Sequence, residues 1–192
     1  MINSKYRIDM VAGSILPIAL NEKGELCFLF GKENPMEDSA KGFSDFGGGL
    51  EKGETPFQCA LREGSEELTG FLGNKKELRK LIKKNGGVYH VLIGTYHVHM
   101  FHFPYDENLP KYYNQNHMFL WNRMDKTLLN DSKLFEKIEI QWFTLKDMKQ
   151  RKSEFREFYR TMVDHFINIE DDLKKFLQTN RQHIRKTRKN NR

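Results

Sequence analysis

Residues 48–71 read GGLEKGETPFQCALREGSEELTGF, and this stretch decides the reading of the whole chain. Thr55-Pro56 supplies a helix N-cap followed by proline at the first helical position, where a missing N–H costs nothing. Gln58, three residues after Thr55, completes a capping box. Gly70 is suited to end the helix in a left-handed conformation. The spacing therefore predicts a helix from about Pro56 to Leu68 or Thr69. On it Glu63, Glu66 and Glu67 stand at i, i+3 and i+4 and share one face. Carboxylates packed so closely repel one another, and a hard divalent cation held by oxygen ligands relieves this most simply. An ordinary solvated acidic face is the bland alternative. It loses ground because Phe46-Gly47-Gly48-Gly49 lies just before the helix and Arg62 stands beside the carboxylates. Gly64 falls in the apolar stripe of Phe57, Ala60, Leu61 and Leu68, at a cost of roughly 1 kcal/mol relative to alanine. That placement suggests another backbone approaching closely.

Gly48, five residues, Glu54, seven residues, Arg62-Glu63 and then Glu66-Glu67 resemble the Nudix box, the signature of hydrolases that cleave pyrophosphate linkages. Two positions depart from it: Gly64 replaces a bulky aliphatic residue, and the closing glycine arrives one residue late, after Leu68-Thr69. The resemblance implies an α/β Nudix fold, a mixed β-sheet sandwiched between α-helices (α/β/α), with the box as a loop–helix–loop. It also implies Mg2+ or Mn2+ as cofactor. Glu63 and Glu67 would bind metal, Glu66 would bind a further ion or orient water, and the Gly48 carbonyl would add a ligand. Glu54 and Arg62 would brace the loop as an ion pair. Glu66, Glu136 and Glu139 are the candidate general bases, the last two from a segment, residues 136–143, that resembles a late strand of the family. For each of them an exposed edge glutamate is an equal reading. The substrate implied is a nucleoside diphosphate derivative, with a small nucleotide slightly favoured. One alternative is the 5′ cap of messenger RNA, cut by the same chemistry; another is a non-catalytic Nudix-fold module that binds RNA. Substrate-binding residues are not identified by the sequence.

Composition bounds the rest. The chain has 192 residues, enough for one sizeable core. No apolar run is long enough to span a bilayer and no signal-peptide core opens the chain, so an intracellular protein with no membrane partner is expected, cytoplasmic or nuclear. Two cysteines, Cys27 and Cys59, give no disulfide framework. Cys59 is read as a small filler on the box helix, since a soft thiolate suits a magnesium-type site poorly. Of the 32 Lys and Arg, residues 181–192 carry six and no acid, which leaves residues 1–180 balanced against all 26 Asp and Glu. Domain organisation follows: a Nudix domain over 1–180 and a basic tail over 181–192, expected to be disordered in isolation. The tail is a candidate RNA contact, as is the basic segment Lys75–Lys84, although a core that balances to neutral argues against a dedicated RNA channel.

Outward from the box, Met10–Leu20 and Glu25–Gly31 read as a hairpin turned at Asn21–Gly24. Lys32–Lys41 reads as a polar loop and Gly42–Phe46 as a short extended segment. Asn74–Lys84 is a basic helix with Leu78, Leu81 and Ile82 inward, ended by Asn85-Gly86-Gly87. Val88–Thr95, Tyr96–Phe103 and Ile138–Leu145 read as strands, and Lys152–Leu177 as one helix. Residues 105–126, with Tyr112, Tyr113, Phe119 and Trp121, show no decisive pattern; their aromatics suit core packing or stacking on a nucleobase. His90, His97, His99 and His102 lack an established zinc spacing, with His97 and His99 on one face of a strand and His102 on the other.

Overall fold

The computed structural model describes residues 11–34, 41–125, 127–129 and 135–190, with side chains as far as Asn180. Strands β1 (Ala12–Leu20) and β2 (Leu26–Glu33) form the expected hairpin. Asn21 Oδ1 accepts the backbone N–H groups of Lys23 and Glu25, and Gly24 turns the chain at φ 78°. Then come β3 (Phe43–Ser44), β4 (Phe46–Gly49), α1 (Pro56–Glu67), α2 (Lys75–Lys84), β5 (Val88–Ile93) and β6 (Tyr96–His102). They are followed by α3 (Leu109–Trp121), β7 (Lys137–Thr144), α4 (Leu145–Gln150), α5 (Arg160–Asn168) and α6 (Glu170–Asn190).

The sheet runs β3-β2-β1-β6-β5, with β4 also paired to β1 and β7 to β2. Only β1–β6 among these pairs is parallel, so the sheet is mixed. Alternation along each strand sends successive side chains to opposite faces. Ile15, Leu29, Phe46, Phe101 and Ile140 meet Ala60 and Leu61 of α1, Leu78 and Ile82 of α2, and Tyr113 of α3. Leu16, Ile18, Phe28, Phe30 and Phe143 face the other way, onto Met148, Met162, Val163, Phe166, Leu173 and Leu177. Helices thus cover both faces. This is the α/β sandwich that the box implied.

One reading needs correction, and two regions gain definition. Lys152–Leu177 is not one helix: two 3-10 turns, Lys152–Glu154 and Glu157–Tyr159, precede α5 and α6. Phe155 between them is extended because it bridges Phe43, whose carbonyl accepts the Arg156 N–H at 3.1 Å. A ring buried against Phe30, Phe43 and Phe143 outweighs a local helical preference. The undecided region contains α3, tied to β7 where Asn114 Oδ1 accepts Ile140 N–H at 2.9 Å and Asn114 Nδ2 donates to the Ile140 carbonyl at 3.2 Å. Helix α6 carries the backbone to Asn190, into the segment whose disorder was expected only in isolation. A packed first half removes the nucleation cost that an isolated peptide bears. Strand β2 runs on to Glu33, into the start of the polar loop, and residues 35–40 of that loop lie outside the described residues, as do Met10 and residues 191–192 of the tail.

The Gly64 question resolves differently from expectation. A Cβ there would stand 2.3 Å from Ile15 Cδ1, so a side chain of β1, not a backbone, fills the notch.

Candidate active site

Strand β1 holds the glycine-rich turn on one edge and α1 on its face. Gly13 pairs with Gly48 and Ser14 with Gly47, and α1 packs so tightly that a Cβ on Gly13 would lie 2.1 Å from the Pro56 carbonyl oxygen. The helix begins as its local sequence dictates. Thr55 Oγ1 accepts the Gln58 N–H at 3.3 Å, and Gln58 Oε1 accepts the Thr55 N–H at 2.9 Å. It ends with Thr69 and Gly70 both left-handed, at φ 53° and 68°.

Arg62, buried beneath the loop, is the hub of the motif. Its guanidinium donates to both Glu54 oxygens at 3.0 Å, to the Gly49 carbonyl at 3.0 Å, to Glu63 Oε1 at 2.7 Å and to Glu66 Oε2 at 3.2 Å. These bonds hold the Glu54 carboxyl below its usual range and keep Arg62 charged. Cys59 lies under the same turn. Its thiol donates to the Gly48 and Gly49 carbonyls at 3.3 Å, and burial raises its pKa, so it stays a neutral thiol.

Glu63, Glu66 and Glu67 differ in setting. Glu66 is exposed at the rim. Glu63 lies against Gly48, where an added Cβ would sit 2.5 Å from its Oε1; burial raises its pKa, with Arg62 opposing. Glu67 is buried, its Oε1 3.2 Å from Lys137 Nζ and its Oε2 without a hydrogen-bond partner. Burial pushes the Glu67 carboxyl well above its ordinary range; Lys137 pulls it down, and Glu33, Glu136 and Glu63 push it up again.

Lys137 was not singled out by the sequence reading. It is fully buried, ion-paired to Glu33, and donates to Ser44 Oγ at 3.0 Å. Arg156 closes the network at 2.7 Å from Glu33. Burial alone would depress the ammonium, but Glu67 and Glu33 outweigh it and hold its pKa up. The register slips between Lys32 and Glu33, where β2 pairs with Glu139 and then Lys137, leaving Ile138 over. Such a bulge re-aims a strand side chain. Room for the lysine stem comes from Gly31, where a Cβ would meet Lys137 Cγ at 2.9 Å. The available signal was a lysine flanked by Glu136 and Glu139 in a strand that pairs with a strand ending in glutamate. Asp45, also missed, is buried next to the glycine turn, where it accepts from Ser14 Oγ and from the Tyr96 hydroxyl at 2.7 Å.

The two later glutamates part company. The charge of Glu136 is felt at Glu67, and its carbonyl accepts the Asn34 N–H at 2.8 Å. Glu139 instead pairs with Lys32 at 3.6 Å and lines a cavity of about 550 Å³ between α3 and β7, with Trp121, Met118 and His117. The strand histidines form a stack: His90 Nε2 lies 2.9 Å from His97 Nδ1, and His99 is buried against Phe57 and the Ser14 carbonyl. His102 lies off that stack, its Nδ1 buried.

Does this donor set fit a divalent cation? Among the described residues no three acidic, histidine or cysteine side chains stand converged as a finished metal cage. The chemistry fits nonetheless. An orphaned buried carboxylate oxygen on Glu67, crowded by three further carboxylates and answered directly by one ammonium, lacks positive charge, and every donor is a hard oxygen.

The NUDIX domain model matches residues 12–166. The chain belongs to the Nudix family, whose hydrolases act on nucleotide derivatives and generally need divalent metal ions, and it is a Nudix-type pyrophosphohydrolase. Among solved structures it is similar to a mutT/nudix family protein from Listeria innocua, at 14% identity and TM-score 0.46 over 86% of this chain and 96% of that one. A C. elegans Ap4A hydrolase is similar at 13% identity and TM-score 0.43, over 88% and 98%. A Nudix hydrolase from Nitrosomonas europaea is similar at 16% identity and TM-score 0.37, over 81% and 86%. A comparison with curated proteins finds no match. No helix among the described residues is long and apolar enough to cross a membrane.

Proposed function

We propose that the chain hydrolyses the pyrophosphate linkage of a nucleoside diphosphate joined to a second group, using Mg2+ or Mn2+ held by Glu63, Glu67 and the Gly48 carbonyl, with Glu66 at the rim. The observation that carries this reading is the unpartnered Glu67 oxygen buried beside the Nudix turn. When bound, the cations draw charge from the bridging phosphates and lower the pKa of water. The chain's own groups do the rest. Arg62 fixes the helix to the loop through Glu54 and Gly49, which sets the spacing of Gly48 and Glu63. Lys137 holds one oxygen of Glu67 and leaves the other available. Glu136 is the proposed base: it takes a proton as water oxygen bonds to phosphorus and the bridging oxygen leaves with the other phosphate. Glu139, which pairs with Lys32 and lines the cavity at Trp121, and Glu66 at the rim are the alternative bases. The aromatic-lined cavity at Trp121 is a candidate seat for the base of a small nucleotide such as a dinucleoside polyphosphate.

A second reading, the 5′ cap of RNA as substrate, is favoured by the unpaired cations on α2. A metal-supplemented screen of nucleotide diphosphates and capped RNA, with product identification, tests both. Cleavage of a P–O–P bond that disappears in Glu67→Gln, together with weaker Mn2+ binding by calorimetry, is the expected result. Wild-type turnover in Glu67→Gln overturns the role given to Glu67.

A further inference from the structure

Helix α2 is unusual in what it leaves uncompensated. Lys75, Lys76, Arg79, Lys80, Lys83 and Lys84 are all exposed, and among the described residues none of them has an ion-pair partner. Four like-charge pairs stand at i,i+4 along the helix: Lys75–Arg79, Lys76–Lys80, Arg79–Lys83 and Lys80–Lys84. Each such pair weakens an isolated helix by about 0.2–0.5 kcal/mol. Glu77, the helix's lone acid, is spent on the cap, accepting the Asn74 N–H at 2.9 Å. Folding does not call for this charge, and a polyanion relieves it.

The positions of the two ends matter as much as the charge. At its start α2 forms one wall of a groove of about 450 Å³ with Lys52, Gly53 and Glu54 of the loop before α1 and Gln58 of α1, and Lys75 is close enough to lower the Glu54 pKa. Glu54 adds little negative charge there, because Arg62 neutralises it. At its other end Gly86 meets Asn180, whose side chain lies 2.3 Å from where a Gly86 Cβ would be. Asn180 is the last residue before the segment 181–190, which carries five more Lys and Arg and continues α6. The basic segment that begins at residue 181 therefore starts from a point adjoining the end of α2. Neutrality averaged over residues 1–180 had hidden this local concentration.

We propose that the exposed face of α2, with the groove at its start, is a docking surface for the phosphate backbone of single-stranded RNA. Successive i,i+4 cations rise about 6 Å along the helix, a ladder that suits a chain of phosphates. A membrane surface fits less well, since Leu78 and Ile82 are buried and α2 offers no exposed apolar side chain to insert. That the docked strand presents a 5′ phosphoanhydride as substrate rests on the reading under Proposed function.

The test is fluorescence anisotropy with a labelled 20-nucleotide single-stranded RNA in chelator, titrated with salt, on the full chain. The triple variant Lys80→Gln, Lys83→Gln, Lys84→Gln lies away from the catalytic loop. It should bind at least about tenfold more weakly near 0.1 M salt, with a log–log salt slope smaller by about 2, from roughly 0.7 per lost phosphate contact. The matching Lys→Arg triple variant should keep both affinity and slope. Unchanged binding and slope in the Gln variant overturn the proposal, as does loss of phosphatidylserine-vesicle binding with RNA binding intact. Hydrolysis of a dinucleoside polyphosphate should be unchanged in the Gln variant while KM for capped RNA rises. Equal losses on both substrates overturn the docking role. If RNA binds as described but the wild type opens no anhydride of any kind, the docking surface stands and the pyrophosphatase reading falls.

Discussion

The two faces of the sheet are packed from different chemistry. Behind β2 and β7, Phe28, Phe30, Phe43, Phe143, Phe155, Tyr159 and Phe166 pack ring against ring, with centroids such as Phe30–Phe155 only 4.9 Å apart. On the α1 face, a mixed set of aliphatic and aromatic residues shares space with Arg62, Glu63, Glu67 and Lys137, and a carboxylate oxygen lacks a partner. One face holds the fold together and the other holds charge in place against its tendency to escape to water. A domain can carry a half-satisfied polar site only where a well-packed opposite face supplies the surplus stability.

The comparison can be broken most sharply at Phe30, which meets four aromatic rings. Phe30→Ala should cost about 3–5 kcal/mol in urea unfolding, and a loss under 1 kcal/mol would mean the aromatic face is not the stabilising one. On the charged face, Lys137→Ala removes one partner of a buried pair and should also cost on the order of 3 kcal/mol by the same measurement, with Lys137→Arg unable to restore it in so small a space. Glu67→Gln should do the reverse. Its carboxyl pKa is raised in the fold, so stability falls as pH rises from the ordinary glutamate range, and the penalty is complete above the raised value. The metal-free variant should melt no lower than wild type while activity falls at least about 100-fold, the scale for losing an electrostatic group at the reacting centre. Acid should loosen the α1 face selectively through His99, whose pKa burial depresses to about 4. A depressed histidine contributes stability that is complete above its unfolded value near 6.5. That contribution is lost as pH falls toward 4. Wild type should therefore lose on the order of 2 kcal/mol more than His99→Gln over that window, read from paired denaturation curves. Smallest of all, Thr55→Ala should cost about 1 kcal/mol through loss of the cap at α1, with activity falling only as far as the loop shifts.

What the sequence disclosed follows the same divide. Helix α1, its capping box and its left-handed end at Gly70 are local matters, decided by Thr55, Pro56, Gln58 and Gly70 themselves. The hairpin at Asn21–Gly24 was legible for the same reason. Lys137, Glu33 and Asp45 were not, because each finds its buried partners only when strands distant in sequence meet. A bulge at Ile138 has no signature in a stretch that otherwise alternates. Helix α3 escaped notice because its buried contacts, Tyr113 and His117, lie among exposed Tyr112, Met118 and Phe119, which blurs any apolar stripe. The break at Phe155 was hidden by a helical pattern that tertiary packing overrides.

Ile15 occupies the notch at Gly64, and the Pro56 carbonyl rests against Gly13, so strand and helix are keyed together at two points. Sliding α1 by one residue would bring a side-chain-bearing position against the Ile15 methyl group. The helix that carries Glu63, Glu66 and Glu67 is in effect an anvil, fixed to β1.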